Sequence, residues 1–244
     1  MLQDDISDIR TRITCTLIEF LESVNVDKPT NGAVIYRGQS RSGNLLPSIA
    51  RHMPNWNSTR IEQQMISKLR EVGAPHISAK ESDWEVLVKA QHYGLKTRLL
   101  DWTSNPLAAL WFACNSVLSH NRAYTYVYML DTRNLDMQPD LALGPWDQEK
   151  TRVYRPVRNN PRIIAQNGYF TVHQFSDAYG RFLSLDHSPE VGANVTEFKV
   201  PRECVRAIMA SLSYLGIGAA SLYPDLQGVC NAINQQFLYD LDLE

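Results

Sequence analysis

Ala90-Gln91-His92-Tyr93-Gly94-Leu95-Lys96-Thr97-Arg98-Leu99-Leu100-Asp101-Trp102-Thr103 decides how this chain of 244 residues is to be read. Just before it, Ser82 and Glu85 form a capping-box pair, in which each side chain can satisfy the other's backbone N–H. Trp84, Leu87 and Val88 give the apolar face of a helix that should stop at Gly94, with Gln91 and His92 on its last turn. Arg98 to Trp102 then reads as a strand. Asn105-Pro106 follows as an N-cap and N1 pair for a helix through Leu118.

Upstream, Ile6, Ile9, Ile13, Leu17 and Phe20 recur at helical spacing behind Asp4 and Asp5, and predict an amphipathic helix. Ala33 to Tyr36 is a buried strand ending in Arg37-Gly38, and Gln39 to Asn57 is loop-like. Ile61, Met65, Leu69 and Val72 mark a helix that ends at Gly73. Downstream, Ala123 to Leu130 alternates as a strand and Asp131 to Trp146 is a loop. Thr151–Tyr154, Arg162–Ala165, Tyr169–His173 and Val195–Val200 are further strand candidates. Pro201 opens a helix with Val205, Ile208, Leu212 and Leu215 inward, and Pro224 opens a last one carrying Leu226, Val229, Ile233 and Phe237. Helices gather at both ends, so an α+β fold is expected over alternating βαβ units. One domain with a mixed or antiparallel sheet is expected, residues 1–30 forming an N-terminal helical segment and residues 31–244 the domain proper.

Composition narrows the function classes. Hydrophobic residues make up 44% and charged ones 20%, too apolar a mixture for a disordered chain. Lys+Arg total 24 against Asp+Glu 26, for a net charge of −2, so any attraction to nucleic acid must come from a local patch. The first residues lack the basic start of an export signal, and no run approaches the ~18 apolar residues of a spanning helix. Cys15, Cys114, Cys204 and Cys230 are far apart and form no CxxC pair, which suggests a soluble protein of a reducing, cytoplasmic compartment. The histidines show no pair at metal-ligand spacing, so no metal is expected. Dinucleotide, P-loop, metalloprotease and nucleophile-elbow motifs are absent.

The chemistry-bearing residues are few. An arginine at a buried strand end needs an anion, because its charge is permanent. For Arg37 that anion is either a diphosphate, to which its planar fork is suited, or a buried aspartate, and Gly38 would let a ligand approach the backbone. Asp101 interrupts an apolar strand and needs a cation, with Arg37 and Arg98 as candidates for either a structural pair or a catalytic one. His92 reads as a base, a substrate donor or a helix-end cap. Lys150, Arg152, Arg155, Arg158 and Arg162, with Tyr154 among them, form either a phosphate- and base-binding strip or a solvated loop face. Gln166-Asn167-Gly168-Tyr169-Phe170 places an amide beside a turn and two aromatic rings, a place to hold a planar ring.

Tyr36-Arg37-Gly38 and the Ala90–Thr103 block, with Arg162-Ile163, Gln166, Gly168 and Tyr223-Pro224-Asp225-Leu226, resemble the FRG-domain family from about Val34 to Ile233. A more distant likeness is to ADP-ribosyltransferases of the Arg-Ser-Glu type. Those carry an aromatic-Arg-Gly strand end, then a Ser-Thr-Ser strand followed six residues on by Ala-x-x-Phe. Here Thr103 lies six residues before Ala109, and Ala109-Leu110-Trp111-Phe112 supplies the second phrase.

That resemblance implies an ADP-ribosyltransferase-like sheet and NAD as the substrate. Arg37 would hold the diphosphate and Thr103 would scaffold the nicotinamide pocket, with Tyr36, Gly38, His92, Tyr169 and Phe170 also against NAD. The family's catalytic Glu has no counterpart, since Gln166 stands there, so Asp101 or Gln166 would contact the ribose. Arg152, Arg155, Arg158 and Arg162 would meet a macromolecular acceptor, RNA or DNA or protein. The implied setting is a bacterial toxin or phage-defence effector, with an antitoxin or regulator as partner. The alternatives are a catalytically inactive nucleotide- or nucleic-acid-binding module and an NAD glycohydrolase.

Overall fold

The β-prone runs assemble into one seven-stranded sheet in the computed structural model, which describes residues 9–24, 32–118, 122–133 and 135–238. Its strands are β1 (Arg10–Ile13), β2 (Val34–Gln39), β3 (Leu99–Thr103), β4 (Tyr124–Asp131), β5 (Arg152–Tyr154), β6 (Gly168–Val172) and β9 (Val195–Pro201). They lie in the order β1-β9-β4-β2-β3-β6-β5, and every pairing is antiparallel except β1 with β9. A two-stranded ribbon, β7 (Phe175–Ser176) and β8 (Arg181–Phe182), stands apart. The helices are α1 (Leu17–Val24), α2 (Thr59–Val72), α3 (Asp83–His92), α4 (Pro106–Leu118), α5 (Pro161–Ala165), α6 (Arg202–Tyr214), α7 (Ala219–Leu222) and α8 (Leu226–Leu238). This is a mixed α+β domain with a mostly antiparallel sheet.

Local chemistry accounts for the elements that frame the cleft. The α3 capping box forms, with Ser82 N–H donating to Glu85 at 2.9 Å and Glu85 N–H to Ser82 Oγ. At α4, Asn105 Oδ1 accepts from the N–H groups of Leu107 and Ala108, and Pro106 sits at the position whose N–H has no helical partner anyway. Helix α4 packs against β2 so closely that a Cβ on Gly38 would run into the Ala109 carbonyl and the Ala113 amide. Gly38 is therefore needed for helix–strand packing. Apolar layers cover both faces of the sheet: Phe20, Trp111, Val127, Phe198, Ile208 and Leu212 on the α4–α6 side, and Ile35, Leu45, Leu100, Tyr128 and Leu130 on the other. Ile66, Trp84, Leu87, Leu99 and Phe170 form a third cluster where α2 and α3 meet β3 and β6.

Several sequence expectations are corrected. Ile6 lies outside the described residues, and Arg10–Ile13 is a strand, with the helix beginning only at Leu17. Parallel pairing with β9, Ile13 opposite Lys199, completes the sheet edge and overrides the helical spacing. Arg162–Ala165 is part of helix α5, because Asn160 caps it by accepting from Arg162 N–H at 2.8 Å and Pro161 begins it. Leu215 is exposed, and Leu226, Val229, Ile233 and Phe237 of α8 also face outward. The cysteines do not stay apart: Cys15 and Cys204 are disulfide-bonded with Cα atoms 5.2 Å apart. The parallel register of β1 and β9 causes this, since each cysteine follows its strand by a few residues. Among the described residues, no helix is long and apolar enough to cross a membrane.

Candidate functional site

Strand β2 pairs with β4 over its whole length, from Val34 opposite Asp131 to Gln39 opposite Tyr126. With β3 it pairs only at Tyr36 opposite Thr103, while β3 pairs with β6 from Leu99 to Thr103. The sheet thus splits between β2 and β3. A cavity of about 340 Å³ opens at this split, roofed by the last turn of α3, by α4 and α5, and by the residue after α7. Tyr36, Arg37, Gly38, His92, Asp101, Thr103, Arg162, Gln166, Tyr169 and Phe170 all line it, although they come from five separate stretches of chain.

Arg37 sits in the split itself. Its Nη1 donates to the Asp101 main-chain carbonyl at 2.9 Å, and its Nε donates to Gln39 Oε1 at 3.1 Å. The Asp101 carboxylate lies 3.9 Å away, a loose pair rather than a bidentate one. Burial lowers the Arg37 pKa to about 10, with Asp101 opposing the shift, so the group stays cationic at neutral pH. Gln39 is fixed in turn by donating to the carbonyls of Arg41 and Gly43.

Of the two cations considered for Asp101, the structure chooses Arg37. Arg98 is fully buried and bound to Glu62, with Nε donating at 2.6 Å and the Arg98 main-chain N–H donating to the same carboxylate. Gln174 and Thr59 accept its remaining N–H groups, and Trp146 Nε1 donates to Glu62. Arg98 is therefore a strut under the site and does not reach it. Asp101 accepts from Gln91 Nε2 at 2.9 Å, and Gln91 Oε1 accepts from Thr97 Oγ1 at 2.7 Å. The chain Thr97–Gln91–Asp101 orients a carboxylate whose side chain remains 59% exposed.

Thr103 donates to the Gln166 main-chain carbonyl at 2.5 Å and accepts from Asn105 N–H at 2.9 Å. It ties β3 to the start of both α4 and β6, a scaffolding position. The Gln166 side-chain amide donates to the Leu222 carbonyl at 3.1 Å, which leaves its own carbonyl oxygen for a ligand. Asn167 turns the chain with φ +46° and accepts from Arg158 at 2.6 Å. Arg162 stands 4.3 Å over the Tyr223 ring, and Arg155 5.5 Å over Tyr169. Of the expected strip Arg162 lines the cavity, whereas Arg152, Arg155 and Arg158 do not, and Arg152 is turned to the Asp136 carbonyl, to which it donates at 2.8 Å.

Gln91, Phe112 and Tyr223 also line the cavity, beyond the site residues expected from the sequence. Gln91 neighbours His92 and Phe112 closes the Ala-x-x-Phe phrase, so both had a local sign. Tyr223 arrives from the far end of the chain and had none beyond its Tyr-Pro-Asp-Leu setting. No group of His, Cys, Asp or Glu among the described residues could hold a metal ion.

The fold and cavity define a class: an α+β domain whose sheet splits over a cationic, aromatic-walled cleft. The family model described as FRG domain matches residues 32–122, so that stretch of the chain is similar to the FRG domain. The match takes in β2, α3, β3 and α4, hence Arg37, His92, Asp101 and Thr103, while the β6 wall, Arg162 and Tyr223 lie beyond it. No curated protein and no solved structure matches the chain.

Proposed function

We propose that the protein is an NAD-dependent ADP-ribosyltransferase that modifies a macromolecule. One observation carries this reading: Arg37, the Asp101 carboxylate, Thr103 and the rings of Tyr36, Tyr169 and Phe170 all border a single cavity at the split of the sheet. Its volume is within the ~300–1,000 Å³ of ligand sites, and its walls combine apolar rings with a few convergent polar groups. Two cations, Arg37 and Arg162, serve the diphosphate of NAD. The aromatic rings pack the nicotinamide, and Gln166 offers a carbonyl oxygen to a ribose hydroxyl.

Breaking the bond between nicotinamide and ribose builds positive charge at the ribose C1′. A preorganised carboxylate stabilises that charge, and fixed charge of this kind commonly contributes more to catalysis than any other single effect. Asp101, held by Gln91, is the carboxylate placed to do so. Among the described residues, Arg155, Arg158 and Arg162 have no carboxylate partner; Arg162 lines the cavity over Tyr223, Arg155 stands over the cavity-lining Tyr169, and Arg158 donates to Asn167 two residues before it. Such a rim suits a phosphate backbone, and RNA or DNA is the favoured acceptor class ahead of protein. A toxin or phage-defence effector under an antitoxin is the setting suggested by the family resemblance; the Cys15–Cys204 bond removes the cysteine argument for a reducing compartment.

A second reading is a nucleotide-binding module without turnover. Gln166 favours it, standing where a catalytic carboxylate is expected with its amide spent on Leu222. Nicotinamide release from NAD separates the two readings, measured with and without total RNA and cell lysate. Release that rises with RNA or lysate supports a transferase, and release independent of both a glycohydrolase. Absence of release under all conditions leaves the binding module.

A further inference from the structure

His92 stands on the partition between the main cavity and a smaller one of about 40 Å³, and lines both. Val88 and Ile163 complete the partition, and the smaller cavity continues outward between Tyr154, Asn159 and Asn160. Its two carboxylates are already engaged, Glu81 by Lys89 at 2.7 Å and Glu85 by the Ser82 cap. His92 is half-buried, yet neither ring nitrogen has a hydrogen-bond partner among the described residues; its one ring contact is an edge-to-face approach to Tyr93 at 4.9 Å. A half-buried imidazole with unspent nitrogens between two cavities is poised to act on something that passes between them.

We propose that His92 is the general base of the transfer, taking the proton from a hydroxyl-bearing acceptor that enters through the smaller cavity. This rests on the ADP-ribosyltransferase reading. The acceptor oxygen forms a bond to the ribose C1′ as the C1′–nicotinamide bond breaks. Nicotinamide leaves as a neutral molecule with the electron pair of that bond, and the hydroxyl proton passes to an imidazole nitrogen. Where water takes the acceptor's place, the same base serves hydrolysis.

The surroundings keep the imidazole in its basic form. Burial holds its pKa below the ordinary value, Arg162 on α5 adds to this, and Asp225 and Asp101 oppose it. Glu85 and Lys89 face the same smaller cavity from α3, the helix that carries His92. Below its pKa the imidazolium could no longer accept a proton.

The test compares wild type with His92→Gln, which keeps hydrogen-bonding groups and cannot act as a base at neutral pH. Nicotinamide release from NAD and ADP-ribose affinity are measured between pH 5 and 8. Wild-type release should fall on the acid side through a single ionisation below about pH 6.5. His92→Gln should be at least ~100-fold slower at pH 7.5, lack that ionisation, and bind ADP-ribose within about two-fold of wild type. Added imidazole should restore part of the rate in His92→Ala. An unchanged rate, a retained acid limb, or a loss of ADP-ribose affinity as large as the loss of rate would overturn the assignment alone. Wild type that releases no nicotinamide under any condition would overturn the transferase reading, and the base with it.

Discussion

Arg37 donates to the main-chain carbonyl of Asp101 at 2.9 Å, while the carboxylate of the same residue stays 3.9 Å away and accepts from Gln91 instead. The guanidinium is thus anchored by a backbone acceptor, and its charge is only partly answered by the nearby acid. An anion entering the split of the sheet would meet a positioned cation that has little to release.

Arg37→Ala should therefore abolish ADP-ribose binding while leaving the fold in place. The substitution loses two hydrogen bonds, to the Asp101 carbonyl and to Gln39 Oε1, at about 1 kcal/mol each, and no close carboxylate pair. Calorimetric titration with ADP-ribose beside a urea denaturation curve checks both halves. Retained NAD turnover in Arg37→Ala would sink the assignment of this cavity.

Asp101→Asn should separate binding from chemistry. Removing the negative charge beside Arg37 takes away repulsion toward a phosphate, so affinity for inorganic pyrophosphate should hold or tighten. Nicotinamide release should fall by ~100-fold or more, because the amide cannot stabilise positive charge at the ribose. Equal weakening of pyrophosphate binding and release would instead make Asp101 a structural partner of Arg37.

Much of the cavity was legible because its residues flank short-range signals. Arg37-Gly38 lies on a buried strand, His92 ends a capping-box helix, and Thr103 precedes an Asn-Pro cap; each position is fixed by neighbours within a few residues. The parts that were misread depend on distant chain. Glu62 lies beside Ile61 on a helix marked by Ile61, Met65, Leu69 and Val72, yet Glu62 is fully buried and Ile61 and Val72 are exposed. Only Arg98, brought in by β3, explains that rotation. Arg162–Ala165 carried β-prone isoleucines, and the Asn160-Pro161 cap outweighed them. The Cys15–Cys204 bond follows from a strand pairing at one edge of the sheet between segments far apart in the chain, which no local spacing announces.

Glu62→Gln should be among the most destabilising single changes in the protein. Both side chains of the Glu62–Arg98 pair are 0% exposed, and the carboxylate also takes the Arg98 main-chain N–H and Trp146 Nε1. Removing one partner leaves a buried charge without compensation, at a cost of about 3–5 kcal/mol. A fall in the urea midpoint without a change in slope would report it. A loss under about 1 kcal/mol would mean that water reaches Arg98 and that the pair is not the strut described.

His173 should make the fold acid-sensitive in a definable window. Its ring is fully buried, it shares a hydrogen bond with Thr171 at 3.0 Å, and Thr171 also accepts from Trp102 Nε1. Burial brings its pKa down from 6.5 to about 3, the nearby Leu183 backbone opposes the shift, and the Arg98 and Arg37 cations reinforce it. Above pH 6.5 the imidazole is neutral whether the chain is folded or not, so it adds no pH dependence there. Between 6.5 and 3 the unfolded chain binds the extra proton, and stability falls with pH by up to about 1.4 kcal/mol per unit from this group. His173→Gln, whatever its stability at pH 7.5, should show a shallower fall between pH 6.5 and 4.5 when urea midpoints are compared across that range. Parallel pH profiles for the two proteins would place the acid sensitivity elsewhere and show that the ring titrates normally in the folded state.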